Sequence, residues 1–361
     1  MNLESPTRMR GDVVISALTG VRGVLAPIVV LGHYYQRDNH EWLLRNGYRM
    51  PFFFMLSGFV MQSVFSGRLV SGKLSWKRFL YDRLSRLYPV FALSILVVAP
   101  LELWRIAVYW HNGSVGPACV RSWCLGISPL FLVPTILPSG NFLTLNVPAW
   151  YLFAEIGCLI LFPVLTRLVS LRYSISTVVV SILLTVCTFQ LSRVTLFLPQ
   201  KFPFGAGNVL QLNWENHAIA NLRWFVLGIM LCTVWSTKYF HWIRSRAHVT
   251  TWRVCSDGCL IVAIAIWLGL SGLFPAQGIA DVTVPVAFSL ALLALSGERG
   301  IICAVLRSSV IHRIGEASYS IYILQFAIGT YAVWLLPARF FTRSPCRERR
   351  SSSSHVWCLG C

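Results

Sequence analysis

YPVFALSILVVAPLELWRIAVY, residues 88–109, decides the class of fold, because only Glu102 and Arg105 interrupt its apolar character. About 20 apolar residues in a helix cross the roughly 30 Å hydrocarbon core of a bilayer. Comparable runs follow at Ala218–Trp235, Cys255–Phe274 and Ser318–Leu336. Working outward, apolar segments near 13–36, 50–66, 87–109, 148–168, 174–198, 218–236, 255–274, 281–297 and 317–336 predict nine spans. The expectation is an all-α, polytopic integral membrane helix bundle of about 9–10 transmembrane helices. Segment 127–138, broken by Pro129, Pro134 and Pro138, is too short for a regular span and reads as re-entrant or interfacial. Residues 1–12 read as a cytoplasmic N-terminus, 13–336 as one membrane domain and 337–361 as a basic, serine-rich tail.

Composition agrees. Of 361 residues 56% are hydrophobic and 12% charged, against roughly 25% charged in soluble domains, which excludes a soluble fold. Lys and Arg number 31 against 13 acids, an excess that suits anionic lipid or an anionic substrate and, with this hydropathy, no nucleic acid. The loop at 67–86 carries Arg68, Lys73, Lys77, Arg78, Arg83 and Arg86, and that at 237–253 carries Lys238, Arg244, Arg246 and Arg253. By the positive-inside rule both are expected in the cytoplasm, and the alternate loops 110–126 and 199–217 outside. After nine spans the tail with Arg339, Arg343, Arg347, Arg349 and Arg350 falls on the wrong side, so that end reads as atypical. No cleavable signal peptide is read from the start. Most cysteines, such as Cys158, Cys187, Cys232 and Cys303, lie in apolar runs as small hydrophobes; Cys119 and Cys124 share a polar loop, and Cys358 and Cys361 have no redox context.

Four constellations carry chemistry. Arg22 and His33 stand eleven positions apart in the first segment, within ~20° of whole helical turns and roughly 16 Å along the axis, so they share a face. A positive-inside anchor and a structural histidine are the plain alternatives, but ionisable groups in a span are functional suspects. Phe52-Phe53-Phe54-Met55-Leu56-Ser57-Gly58-Phe59 ends in a small polar pair that lets another helix or a thin acyl chain approach closely. Arg83 and Arg86, at i and i+3, form a fork suited either to phosphate or to lipid headgroups. Glu155 is the single acid between Glu102 and Glu215, and such a carboxylate calls for a partner, with His33 or an arginine the natural candidates. No cluster with metal-ligand spacing is read.

Together these elements, with Gly315-x-x-Ser318-Tyr319-Ser320-Ile321-Tyr322-Ile323-Leu324 closing the series, resemble membrane acyltransferase family 3. The resemblance implies an integral membrane O-acyltransferase that moves an acetyl or other short acyl group from acyl-CoA to a hydroxyl of a surface polysaccharide or its lipid-linked sugar precursor. Catalytic roles fall on His33, Arg22 and Glu155; Arg83, Arg86, Ser57 and Gly58 are the donor-binding positions. His33 would act as general base or carry the acyl group, with Glu155 orienting it. The expected co-substrate is acetyl-CoA, with no metal, and the expected partners are the glycan acceptor, membrane lipids and polysaccharide assembly proteins. The expected location is the cytoplasmic (inner) membrane, multi-pass. Leu324-Gln325 departs from the family's frequent Leu-His, and the family's closing span and basic element are not matched after Phe340, so the end reads as truncated or frame-shifted. A transporter and a non-catalytic subunit of a polysaccharide export system are the rival readings.

Overall fold

Apolar residues that bury no backbone polar group except by helical hydrogen bonding dictate helices throughout. The computed structural model describes residues 9–35, 49–113, 146–170, 175–194, 201–203, 209–211, 214–236, 249–273, 277–297 and 299–335. Within them run α1 (Met9–Tyr35), α2 (Arg49–Val70), α3 (Trp76–His111), α4 (Trp150–Ser170), α5 (Ile175–Val194), α6 (Ala218–Trp235), α7 (Val249–Leu273), α8 (Gln277–Ser296), a six-residue α9 (Ile301–Leu306) and α10 (Ser309–Leu335). The single exception to the all-α class among the described residues is a three-residue antiparallel ladder, β1 (Lys201–Pro203) with β2 (Val209–Gln211). Among the described residues four helices are long and apolar enough to cross a membrane: Met50–Val70, Trp76–His111, Trp150–Val169 and Ala218–Trp235. Shorter apolar stretches lie at Ser16–Leu31, Ile182–Leu191 and Thr283–Ser296.

Boundaries differ from the sequence expectation where polar residues open a helix. The loop read at 67–86 shrinks to a turn, because Ser75 caps α3 by accepting from the Arg78 amide at 3.3 Å and Phe79 is buried at the first turn. The 36 residues of α3 measure about 54 Å, so its basic start extends beyond the hydrocarbon. Likewise α10 begins at Ser309 and α7 at Val249. The unanticipated α9 is capped from another helix: Asp257 of α7 accepts from the Ile301 and Ile302 amides at 2.8 and 3.1 Å. The tail at 337–361, the 127–138 segment, Cys119, Cys124 and most of the 237–253 loop lie outside the described residues.

Two close helix crossings frame the bundle. A Cβ at Gly58 of α2 would strike the Phe225 carbonyl of α6, and one at Gly228 of α6 the Met55 carbonyl of α2. Likewise a Cβ at Gly23 of α1 would strike the Ile311 carbonyl, and one at Gly315 of α10 the Thr19 carbonyl. Small residues at a crossing let backbones touch, the packing that lipid-embedded helices depend on.

Side-chain pairs give the directions. Tyr319 donates to the Leu87 carbonyl at 2.9 Å and Tyr331 to that of Val97 at 2.8 Å, so α10 runs parallel to α3. Phe79 meets Phe162 and Phe91 meets Phe153, which sets α4 antiparallel to α3. Phe54 meets Tyr151 and Thr166 bonds Gln62, so α2 and α4 are parallel. Helices α1, α2, α3, α4 and α10 thereby bring the chemistry-bearing residues to one region.

Candidate active site

Glu155 sits in the second turn of α4, on a face fixed by how α4 starts. Asn146, fully buried, donates to Ser94 Oγ of α3 at 2.8 Å and to the Ile323 carbonyl of α10 at 2.9 Å. A 3₁₀ turn at Val147–Ala149 follows, where Pro148 costs no hydrogen bond, and α4 begins at Trp150. Tyr151, four residues before Glu155, occupies the same face.

The carboxylate is met by neutral donors. Ser57 Oγ donates to Glu155 Oε1 at 2.9 Å, and the Tyr151 hydroxyl lies within hydrogen-bonding reach of the same group. The Gly58–Gly228 crossing holds α2 in the register that aims Ser57 at α4. Positive charge surrounds this pair without closing on it: Arg83 has Arg86, Glu155, Arg22 and Asp82 as its charged neighbours, and Tyr151 has both Glu155 and Arg22. Arg22 and Glu155 form no ion pair among the described residues.

A small, partly open cavity with room for at least one water lies beside Tyr151. Arg22, Phe53, Tyr151, Ser318, Tyr319 and Tyr322 line most of it. The Gly23–Gly315 contact explains the grouping, because it brings the backbone of α1 against the start of α10 and sets Arg22 beside Ser318. Aromatic rings stiffen the walls: Tyr151 packs on Phe54 at 4.8 Å, on Tyr322 at 5.8 Å and on Phe53 at 6.3 Å between centroids.

The sequence-derived residues are thus partly assembled. Arg22, Ser57, Arg83 and Glu155 converge. Arg83 and Arg86 divide, since Arg83 is half-buried with its guanidinium 4.2 Å from the Phe65 ring centroid while Arg86 is exposed. At Gly58 the close approach is made by a helix, α6. Glu155 takes its direct hydrogen bond from Ser57, a partner the sequence reading did not pair with it. His33 belongs to α1, three turns beyond Arg22 with Pro27 between them, and its side chain lies outside the described ones. Tyr151, Ser318, Tyr319 and Tyr322 were not assigned roles from sequence; the spacings 151/155, 318/322 and 319/322 were the available signal. Among the described residues no group of His, Cys, Asp and Glu is arranged to hold a metal ion.

Comparison with known proteins adds an independent finding. Residues 15–345 match a family described as an acyltransferase domain. The chain is 26% identical over 294 residues to the acyltransferase MdmB of Streptomyces mycarofaciens, covering 77% of this chain and 67% of that protein. It is 30% identical over 154 residues to protein 2 in the picA locus of Rhizobium radiobacter, covering 38% of this chain and 75% of that one. No solved structure matches.

Proposed function

From the premise that this chain belongs to membrane acyltransferase family 3, we propose that it moves a short acyl group, acetyl first, from acyl-CoA to a hydroxyl of a surface polysaccharide or its lipid-linked sugar precursor. The observation that carries the reading is the convergence of Arg22, Arg83, Ser57, Tyr151 and Glu155 from four helices beside a small cavity inside an apolar bundle. Charged groups are costly in such surroundings, and an arrangement serving stability alone would pair them.

In this mechanism acyl-CoA enters from the cytoplasmic side, its phosphates drawn to exposed Arg86 in the third turn of α3 and its thioester led into the bundle beside half-buried Arg83. His33 takes the proton of the acceptor hydroxyl as general base. The hydroxyl oxygen bonds to the acyl carbon, the carbon–sulfur bond breaks, and the proton passes to the departing thiolate. Glu155 orients the base and offsets the positive charge that builds on it, while Ser57 fixes the rotamer of Glu155. The basic loops set the N-terminus in the cytoplasm of a cell whose inner membrane holds the protein.

The test is thiol release from acetyl-CoA together with labelled acetyl incorporation into surface glycan by protein in membrane vesicles. The reading expects both with wild type and neither with His33→Ala inserted at normal level. Wild-type transfer by a fully inserted His33→Ala protein would remove the proposed base.

A further inference from the structure

Within the cavity three polar groups have no use in holding the fold. Arg22 is half-buried and makes no hydrogen bond or ion pair to another described residue. Ser318 is 3% exposed and lines the cavity, and among the described residues nothing donates to its hydroxyl or accepts from it. Tyr322, 7% exposed, lines it too, with its ring against Tyr151 and no hydrogen-bond partner for its hydroxyl among the described residues. Neighbouring Tyr319 differs, because its hydroxyl is spent on the Leu87 carbonyl, which ties α10 to α3. Hydroxyls of buried residues that line a cavity and have no protein partner call for a ligand, a water or another reason.

All three free groups can donate hydrogen bonds, one carries a fixed positive charge, and the walls between them are aromatic. That combination suits a compact group with an acceptor oxygen that gains negative charge, flanked by a small apolar end. We propose that this cavity is the subsite for the acyl group, with Ser318 and Tyr322 donating to the acyl carbonyl oxygen, Arg22 supplying charge, and Phe53 and Tyr151 limiting the chain length. The proposal rests on the acyl-transfer reading and adds to it the residues that hold the reacting carbonyl. Donors preset around the carbonyl stabilise the oxygen charge that develops as the acceptor oxygen bonds to the acyl carbon and before the thiolate leaves. The cavity is small and walled by aromatic rings, so an acyl chain longer than acetyl would be pressed against Phe53 and Tyr151.

The experiment uses the full chain in nanodiscs with acetyl-CoA, propionyl-CoA and butyryl-CoA and an acceptor glycan. Ser318→Ala should lower kcat for acetyl transfer about 100-fold, with the donor KM within twofold of wild type and unchanged thermal unfolding. Phe53→Ala, which removes a wall without touching a donor, should raise the ratio of butyryl to acetyl transfer at least tenfold. Because Tyr322→Ala risks misfolding, Tyr322→Phe is the variant for that hydroxyl, with an expected loss of about tenfold in kcat. Wild-type kcat in both Ser318→Ala and Tyr322→Phe, alongside an active wild type, overturns the subsite and leaves the acyltransferase reading standing. A wild type that releases no thiol from any of the three donors, although inserted and folded, overturns both.

Discussion

Among the described residues helices α2 and α4 share two polar contacts, and these are built on opposite plans. Near the end of α2, Gln62 accepts from Thr166 Oγ1 of α4 at 2.8 Å and donates to Thr233 Oγ1 of α6 at 3.4 Å, while Thr233 donates to the Ile229 carbonyl at 2.9 Å. Every member is neutral, and the chain of hydroxyl and amide donors ends on a backbone carbonyl. Five residues earlier, Ser57 meets Glu155, a charged group with Arg22 and Arg83 in electrostatic reach and a cavity next door. A polar cluster that serves only packing satisfies its members internally, because each unmet group in an apolar interior costs free energy. The cluster around Glu155 leaves donors and charges open, as the proposed acyl-transfer site requires.

The sharpest way to break this contrast is to neutralise its charged member. Glu155→Gln keeps the shape and the Ser57 contact, and acyl transfer should fall at least ~100-fold at normal insertion, read as labelled product per inserted molecule. Arg22→Ala should act on the same scale. A smaller effect is expected where the donor is held at the rim. Arg86→Ala should raise the acyl-CoA KM several-fold and flatten its dependence on salt, because an exposed cation acts through screened charge. Donor kinetics at two ionic strengths check this, and an unaltered KM would reassign Arg86 to lipid headgroups. The closed cluster should respond least in transfer. Gln62→Leu leaves the Thr166 hydroxyl without its acceptor, at a cost of about 1–3 kcal/mol in stability, yet transfer per folded molecule should stay within twofold of wild type. The α2–α6 crossing that aligns both clusters offers a control for misfolding: Gly58→Val should destabilise by about 1–3 kcal/mol or more, measured by thermal unfolding in detergent, since its side chain would meet the Phe225 carbonyl.

Much of this was legible in the residues. Apolar runs of span length gave the helical class, and the motif order led to Arg22, Ser57, Arg83 and Glu155 before any contact was known. The ends of helices were not legible in this way, since hydropathy falls off where a helix leaves the lipid although its hydrogen bonds continue, as at Trp76 in α3 and Ser309 in α10. Gly58 was read as open to a helix or an acyl chain because small residues serve both, and only the position of α6 distinguishes them. Tyr151, Ser318 and Tyr322 stayed unassigned for a different reason. Aromatic and hydroxyl residues are common in apolar helices, and what separates these three is their meeting at one cavity from two helices, which depends on tertiary packing.

The central claim is that the open cluster around Glu155 transfers acyl groups while the closed cluster around Gln62 supports the fold. Single-turnover transfer from labelled acetyl-CoA, run side by side on wild type, Glu155→Gln and Gln62→Leu at matched amounts of folded protein in vesicles, tests it most directly. The account predicts transfer by wild type and by Gln62→Leu at rates within twofold of each other, and a rate at least ~100-fold lower for Glu155→Gln. Equal rates for Glu155→Gln and wild type, or a loss in Gln62→Leu as deep as in Glu155→Gln, would contradict it.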